Sequence, residues 1–205
     1  MRKIINKLTD FVKIYDNVIT DEFCVKIINA FDADGEFHID STIGALEGTD
    51  NVYRSAIEMN CTKRADKSAE WGAIMSILNR HASNSFRQYC NDLIEDGFSA
   101  ELLFSTVTLE QWRMHRYDPG KHYYKEHIDS IEFNTSRRML VLMYYLNTVK
   151  EGGETSFDTI GIQVKPREGR LVIAPTWFGY PHSGDMPISN TKYMIKTYLH
   201  YPGDA

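Results

Sequence analysis

Two hydrophobic periods divide this chain. Up to about residue 104 the apolar positions recur mainly at helical spacing; beyond that they alternate or run together. Residues 9–18 alternate loosely and predict a short strand. Thr20 is placed to cap a helix with Asp21 and Glu22 in its first turn and Phe23, Ile27, Ile28 and Phe31 along one stripe. That helix is expected to stop at Ala33-Asp34-Gly35. Residues 36–62 show no clear period, with Gly44 and Gly48 interrupting them, although 55–59 fit a strand. From 65 to 96, Trp71, Ile74, Ile77 and Leu78, then Phe86, Tyr89, Cys90 and Leu93, mark the longest helical stretch. It is either one helix or two joined near Asn84, and Gly97 ends it. A half-apolar helix must cover something, and a sheet face is the expected partner.

After Leu102 the period becomes two. Residues 107–117 predict one strand, closed by Tyr117 before the turn Asp118-Pro119-Gly120. A short strand at 122–128 follows. Residues 139–146 are almost continuously apolar, as in a central strand buried on both faces. Gly152-Gly153 is a tight turn, 161–164 and 170–173 read as a hairpin around Pro166-Arg167-Glu168-Gly169, and 193–198 is the last strong strand. Many short strands with Gly and Pro turns, preceded by helices, predict a mostly β sandwich or barrel core with a helical layer outside. The expected organisation is one domain, 1–205, with 1–104 supporting a core at 105–200 and a disordered tail from Pro202.

Composition narrows the function little. Of 205 residues 42% are hydrophobic and six are proline, as in a soluble globular protein. The formal charge of −5 gives no electrostatic reason for duplex nucleic-acid binding. No secretory h-region or membrane-length apolar run is present, so the default expectation is a cytoplasmic protein with no membrane partner. Cys24, Cys61 and Cys90, odd in number and far apart, read as reduced thiols.

The candidate chemistry begins at His127-Ile128-Asp129. On an extended strand residues i and i+2 share a face, so imidazole and carboxylate can converge on one ion. The chain carries its own control: His38-Ile39-Asp40-Ser41 repeats His127 to Ser130 residue for residue. Nothing after His38 supplies a comparable context, and that copy is assigned to a solvent-facing loop or strand edge. The second copy is followed by a buried strand, a Gly-Gly turn and His182, with His115, His122 and His200 as rival imidazoles. Two histidines and one carboxylate fill one face of an octahedron at a non-haem Fe(II) site. Lys192 opens the last strand, either as a solvated lysine or as a buried cation for a dianionic ligand; Lys196, two positions on along the same face, is its rival.

The ordered series Tyr117-x-x-Gly120-x-x-Tyr123-x-x-x-His127-x-Asp129, Tyr144-Tyr145-Leu146-Asn147, Gly152-Gly153-Glu154-Thr155-x-Phe157, Pro166-x-x-Gly169-x-Leu171, His182-x-Gly184 and Lys192 resembles the prolyl 4-hydroxylase-like branch of the Fe(II)/2-oxoglutarate dioxygenases. The resemblance covers about 105–200. It implies a double-stranded β-helix (jelly roll, cupin-like) with N-terminal helices on the major sheet. It makes His127, Asp129 and His182 the iron ligands and Lys192 the partner of the distal carboxylate of 2-oxoglutarate. Tyr117 and Tyr145 would line the cosubstrate pocket, with Thr197 or Tyr198 nearby. Departures fall at Val172-Ile173-Ala174-Pro175, at Trp177-Phe178-Gly179-Tyr180, and after His182, where Pro187 comes one residue late.

The implied activity is O2-dependent hydroxylation of a C–H bond, coupled to decarboxylation of 2-oxoglutarate to succinate and CO2. Ascorbate is a candidate reductant for idle iron. The resemblance favours a prolyl residue of a peptide or protein, with loops 41–53 and 130–137 flanking an open groove. Arg137-Arg138, Lys121 and Lys125 offer a basic patch for an acidic substrate. Alternatives are a hydroxylase of free amino acids or other small metabolites, a nucleic-acid oxidative demethylase, and a non-enzymatic barrel that binds without turnover. The acidic charge and the single Lys192 in place of an arginine-rich pattern disfavour the demethylase. The sequence leaves the oligomeric state open.

Overall fold

The structure is a computed structural model that describes residues 7–41, 43–44, 52–103 and 106–202. In chain order its strands are β1 (Lys13–Tyr15), β2 (Ile39–Asp40), β3 (Ile43–Gly44), β4 (Val52–Ser55), β5 (Ile57–Asn60), β6 (Thr108–Leu109) and β7 (Arg113–Tyr117). Then come β8 (Tyr123–His127), β9 (Arg138–Tyr145), β10 (Thr155–Phe157), β11 (Ile162–Val164), β12 (Leu171–Pro175), β13 (His182–Gly184) and β14 (Lys192–His200). The helices are α1 (Asp21–Ala33), α2 (Cys61–Ala65) and α3 (Ala69–Glu95).

Two antiparallel sheets face each other, the jelly-roll core expected. The major sheet runs β1-β12-β9-β14-β7-β5-β2, with β6 beside β14; the minor sheet runs β11-β10-β13-β8-β4-β3. β9 lies between β12 and β14 and is buried along nearly its whole length, which is why its sequence is apolar in both parities. β14 shows what each parity does. Ile195 and Leu199 join the layer under the helices, whereas Met194 and Tyr198 join the layer between the sheets. Lys192 and Lys196 share the inward parity, so both ammonium groups are carried into the space between the sheets.

The helices cover the outer face of the major sheet. Thr20 caps α1 through its side chain, which accepts from the Phe23 amide, and Ile27 and Phe31 are buried. α3 is one uninterrupted helix starting after the Ser68 cap; Trp71, Ile74, Leu78, Tyr89 and Leu93 pack into the same layer as Leu140, Leu142 and Ile195. Among the described residues no helix is long and apolar enough to cross a membrane.

Three expectations need correction. Residues 107–117 are not one strand: β6 and β7 pair with opposite ends of β14, and residues 110–112 bend between them. There Trp112 hydrogen-bonds through its amide to Thr62 and through its indole to Asn79, so side chains replace ladder bonds. The segments at 161–164 and 170–173 are not a hairpin. β11 pairs with β10 in the minor sheet and β12 with β9 and β1 in the major sheet, so the intervening turn crosses between sheets. Gly169 makes that corner at φ +73°, where an added Cβ would lie 2.6 Å from the Ile19 carbonyl oxygen. The 9–18 strand is shorter than expected, since Leu8–Phe11 is a 3-10 turn before β1. Most of loop 41–53 and the end of the C-terminal tail lie outside the described residues.

Candidate metal centre

β8 and β13 are antiparallel neighbours with His182 opposite His127, which sets two distant histidines side by side at a ring separation of 4.4 Å. Asp129 follows the end of β8. Its Oδ1 is 3.6 Å from His127 Nε2 and its Oδ2 3.4 Å from His182 Nε2. One ligand atom from each residue lies within 4.8 Å of the others, a spacing that can hold a metal ion. The first copy of the motif does not do this. His38 stacks on Phe31 with Nε2 2.8 Å from the Phe31 carbonyl oxygen, and Ile39–Asp40 is an exposed edge strand.

The backbone fixes the imidazoles in the orientation a metal needs. His127 Nδ1 is 2.9 Å from the Lys125 carbonyl oxygen and His182 Nδ1 3.2 Å from that of Tyr180. A carbonyl only accepts, so each Nδ1 carries the hydrogen and each Nε2 keeps its lone pair for the centre. His127 Nε2 and Asp129 Oδ2 are buried with no hydrogen-bond partner among the described residues. Each such orphan costs about 1–3 kcal/mol, a penalty that a coordinated cation removes. Burial pushes His182 down to about 4, so its ring is neutral near pH 7. Burial would raise Asp129, but Lys196, with Nζ 3.9 Å from Oδ1, acting together with His182 and His127, outweighs it and holds the carboxylate well below its ordinary range. Two imidazoles and one carboxylate, with His127 Nε2 and Asp129 Oδ2 unsatisfied among the described residues and all three side chains converging, fit Fe(II).

Residues around the triad that sequence reasoning underweighted are Tyr198, Lys196, Tyr124 and Arg138. The Tyr198 hydroxyl donates to Asp129 Oδ1 at 2.6 Å and accepts from Lys196 at 2.8 Å. One carboxylate oxygen is thereby occupied and the other left free. Replacing Tyr198 by Phe is expected to weaken Co(II) affinity about tenfold in a direct titration; an unchanged constant would mean that Asp129 is oriented by something else. Arg138 donates to the Asp129 carbonyl (3.0 Å), lies over the Tyr198 ring and forms a two-bond ion pair with Glu110. It is therefore committed to holding the site and is not part of a free basic patch. Tyr124 stacks on His127 at 3.5 Å. Strict alternation would put residues i and i+3 on opposite faces. However, β8 pairs His127 with His182 and Tyr124 with Gly184, and the extra residue in that register resets the parity.

Also between the sheets, Lys192 is only 2% exposed; its ammonium donates to the Gly153 carbonyl (2.6 Å) and sits 5.5 and 5.2 Å from the rings of Tyr117 and Tyr145. The Tyr145 hydroxyl donates to Thr155 Oγ1 at 2.6 Å. Burial lowers Lys192 to about 8, and Asp185 and Glu154 oppose this only through space. A cavity of about 20 Å³ lies between Lys192, Tyr117, Thr155 and His182. That is room for about one water, so an organic diacid needs the lining side chains to move apart. Of the rival histidines, His115 is fully buried with Nδ1 3.5 Å from Glu58, His122 Nδ1 accepts from the Asp118 amide, and His200 lies near the Tyr201 carbonyl.

Residues 112–200 match the sequence model of the 2OG-Fe(II) oxygenase superfamily. No curated protein shows significant sequence similarity to the chain. Solved structures share the fold. A collagen prolyl hydroxylase of Paramecium bursaria Chlorella virus-1, in complex with 2OG, superposes with a TM-score of 0.63 at 18% identity over 94% of this chain and 97% of that one. A prolyl-4-hydroxylase of Pseudomonas putida gives 0.56 at 15% identity, covering 94% and 93%. A prolyl hydroxylase of Trichoplax adhaerens, in complex with a hypoxia inducible factor peptide, gives 0.62 at 15% identity, covering 94% and 84%.

Proposed function

We propose, on the match of residues 112–200 to the 2OG-Fe(II) oxygenase superfamily and on the triad, that this chain is an oxygenase of that superfamily and hydroxylates a C–H bond of a prolyl residue in a peptide or protein. The observation that carries the oxygenase reading is the convergence of three ligand residues between the sheets, with two of their atoms buried and unpartnered among the described residues. Fe(II) held by His127, Asp129 and His182 would supply the activation of O2. In the balanced reaction one oxygen atom enters the C–H bond and the other ends in the new carboxylate of succinate, while the C1 carboxylate of 2-oxoglutarate leaves as CO2.

The protein's own part is positional. Carbonyls of residues 125 and 180 hold the imidazoles, Tyr198 holds the carboxylate, and Lys192 offers a buried positive charge to the far end of the cosubstrate. Tyr117 and Tyr145 present ring faces around that ammonium and limit how a diacid can lie. The prolyl assignment rests on the motif resemblance, and supporting it are the prolyl hydroxylases among the structures that share this fold. Loop 130–137 exposes Ile131 and Phe133 beside the site, apolar surface on which a peptide can lie.

Anaerobic addition of 2-oxoglutarate to the Fe(II)-loaded protein is expected to produce a weak visible charge-transfer band that is absent in His182→Ala. Iron binding without a band in the wild type would remove the cosubstrate assignment.

A further inference from the structure

Beside the metal triad lies a second cavity of about 430 Å³, walled by Arg54, Glu58, Arg113, Asp129 and Lys196, with Tyr124 between it and the cosubstrate cavity. Its charges do not balance. Glu58 is buried and accepts from both Arg54 and Arg113, so one carboxylate faces two guanidinium groups. His115 behind it contributes no charge, because complete burial holds it well below its ordinary range. Arg54 is 9% exposed, and its Nε has no hydrogen-bond partner among the described residues. Lys196 is offset by Asp129, but a carboxylate that coordinates a metal cation no longer neutralises the lysine. Arg138 is matched by Glu110. Glu132, the remaining acid on the wall, is an exposed rim residue. The loaded site therefore keeps two surplus positive charges, one on the Arg54–Glu58–Arg113 cluster and one on Lys196, both facing the cavity next to Asp129.

Arg113 is about two-fifths exposed and screened by water, whereas Arg54 and Lys196 are buried. Buried cations whose counter-charges are shared or drawn off are costly, and a cavity that retains them is built for an anion. We propose that the substrate carries a carboxylate close to the carbon that is hydroxylated, and that Arg54 and Lys196 bind that carboxylate in this cavity. The idea rests on the hydroxylase reading and narrows it. The carboxylate can be that of a free amino acid or the side chain of an acidic residue next to the target in a peptide. A neutral prolyl peptide lacks the group these cations select.

The test is calorimetric binding to the Mn(II)- and 2-oxoglutarate-loaded full chain, which needs no turnover. The probes are free amino acids against their amides, and blocked Asp-Pro and Glu-Pro peptides against Asn-Pro and Gln-Pro. At least one carboxylate probe is expected to bind about tenfold or more tightly than its amide. Arg54→Gln should collapse that ratio towards one and Arg54→Lys should restore part of it, while both variants keep the anaerobic charge-transfer band in their Fe(II) form. Preference for free acids identifies a small substrate; preference for acidic peptides identifies a peptide one. Equal binding of acids and amides, no binding of any acid, or a ratio unaffected by Arg54→Gln would overturn the assignment. Loss of the band in wild type would instead strike the hydroxylase reading beneath it.

Discussion

Removing a ligand of the triad is expected to abolish turnover. His127→Ala should reduce 2-oxoglutarate-dependent succinate formation by about a thousandfold or more, because no other imidazole can reach the centre. His122 and His200 are held elsewhere, at Asp118 and Tyr201, and His115 is locked in the interior beside Glu58 by complete burial. His38→Ala is the internal control: it carries the same His-Ile-Asp-Ser context but sits on an edge strand against Phe31, so activity should remain at the wild-type level. Asp129→Ala should also be inactive, but it differs in stability. Asp129 neutralises the buried ammonium of Lys196, and deleting one partner of such a pair leaves a buried uncompensated charge, a cost of about 3 kcal/mol. Thermal unfolding should therefore separate the two variants: Asp129→Ala melts well below wild type, and His127→Ala melts close to it. If His38→Ala were as inactive as His127→Ala, the ligand assignment would be wrong.

The triad was legible because its context is written in the chain itself. A buried strand, a Gly-Gly turn and a distant histidine follow His127 but not His38, and the register that places His182 opposite His127 is the three-dimensional form of that difference. α3 and β9 were legible for a simpler reason: a 3.6-residue stripe and an unbroken apolar run each admit few environments. Features that depend on pairing were not legible. The turn at 165–170 has the local chemistry of a hairpin, and only the partners of β11 and β12 show that it changes sheets. Tyr124 reaches His127 through one extra residue in a ladder, which leaves no mark on composition. Arg54 comes from a stretch without a period, and its importance appears only when Glu58, Arg113 and Lys196 arrive from other strands. The parity of β14 gave a partial signal, since it placed Lys192 and Lys196 on one face. Only the structure separates them, with Lys192 at Gly153 and Lys196 at Asp129.

Lys192→Met is expected to have two large effects of opposite sign. Burial lowers Lys192 from 10.5 to about 8. Between those values the unfolded chain holds the proton more tightly than the folded one, so stability rises as the pH rises through this window. Below about pH 8 the full penalty applies, on the order of 3 kcal/mol. A methionine of similar length has no charge to desolvate, so without ligand the variant should melt roughly 6–12 °C above wild type near pH 7. The advantage should shrink as the pH approaches 10.5, because the wild-type lysine is then neutral in both states. The same substitution should raise the concentration of 2-oxoglutarate needed for half-saturation by about a hundredfold, since the distal carboxylate would meet Tyr117, Tyr145 and Thr155 without the Lys192 ammonium, and Lys196, which also lines the cavity, is paired with Asp129. Wild-type affinity should itself fall as the pH passes about 8, where the free protein loses the charge, and Lys192→Met should lack that dependence. Adding 2-oxoglutarate with Mn(II) should raise the melting temperature of the wild type and hardly move that of the variant. A lysine whose removal stabilises the empty protein and disables ligand binding is retained for the anion; one whose removal lowers both would be a structural residue bonded to Gly153 and nothing more.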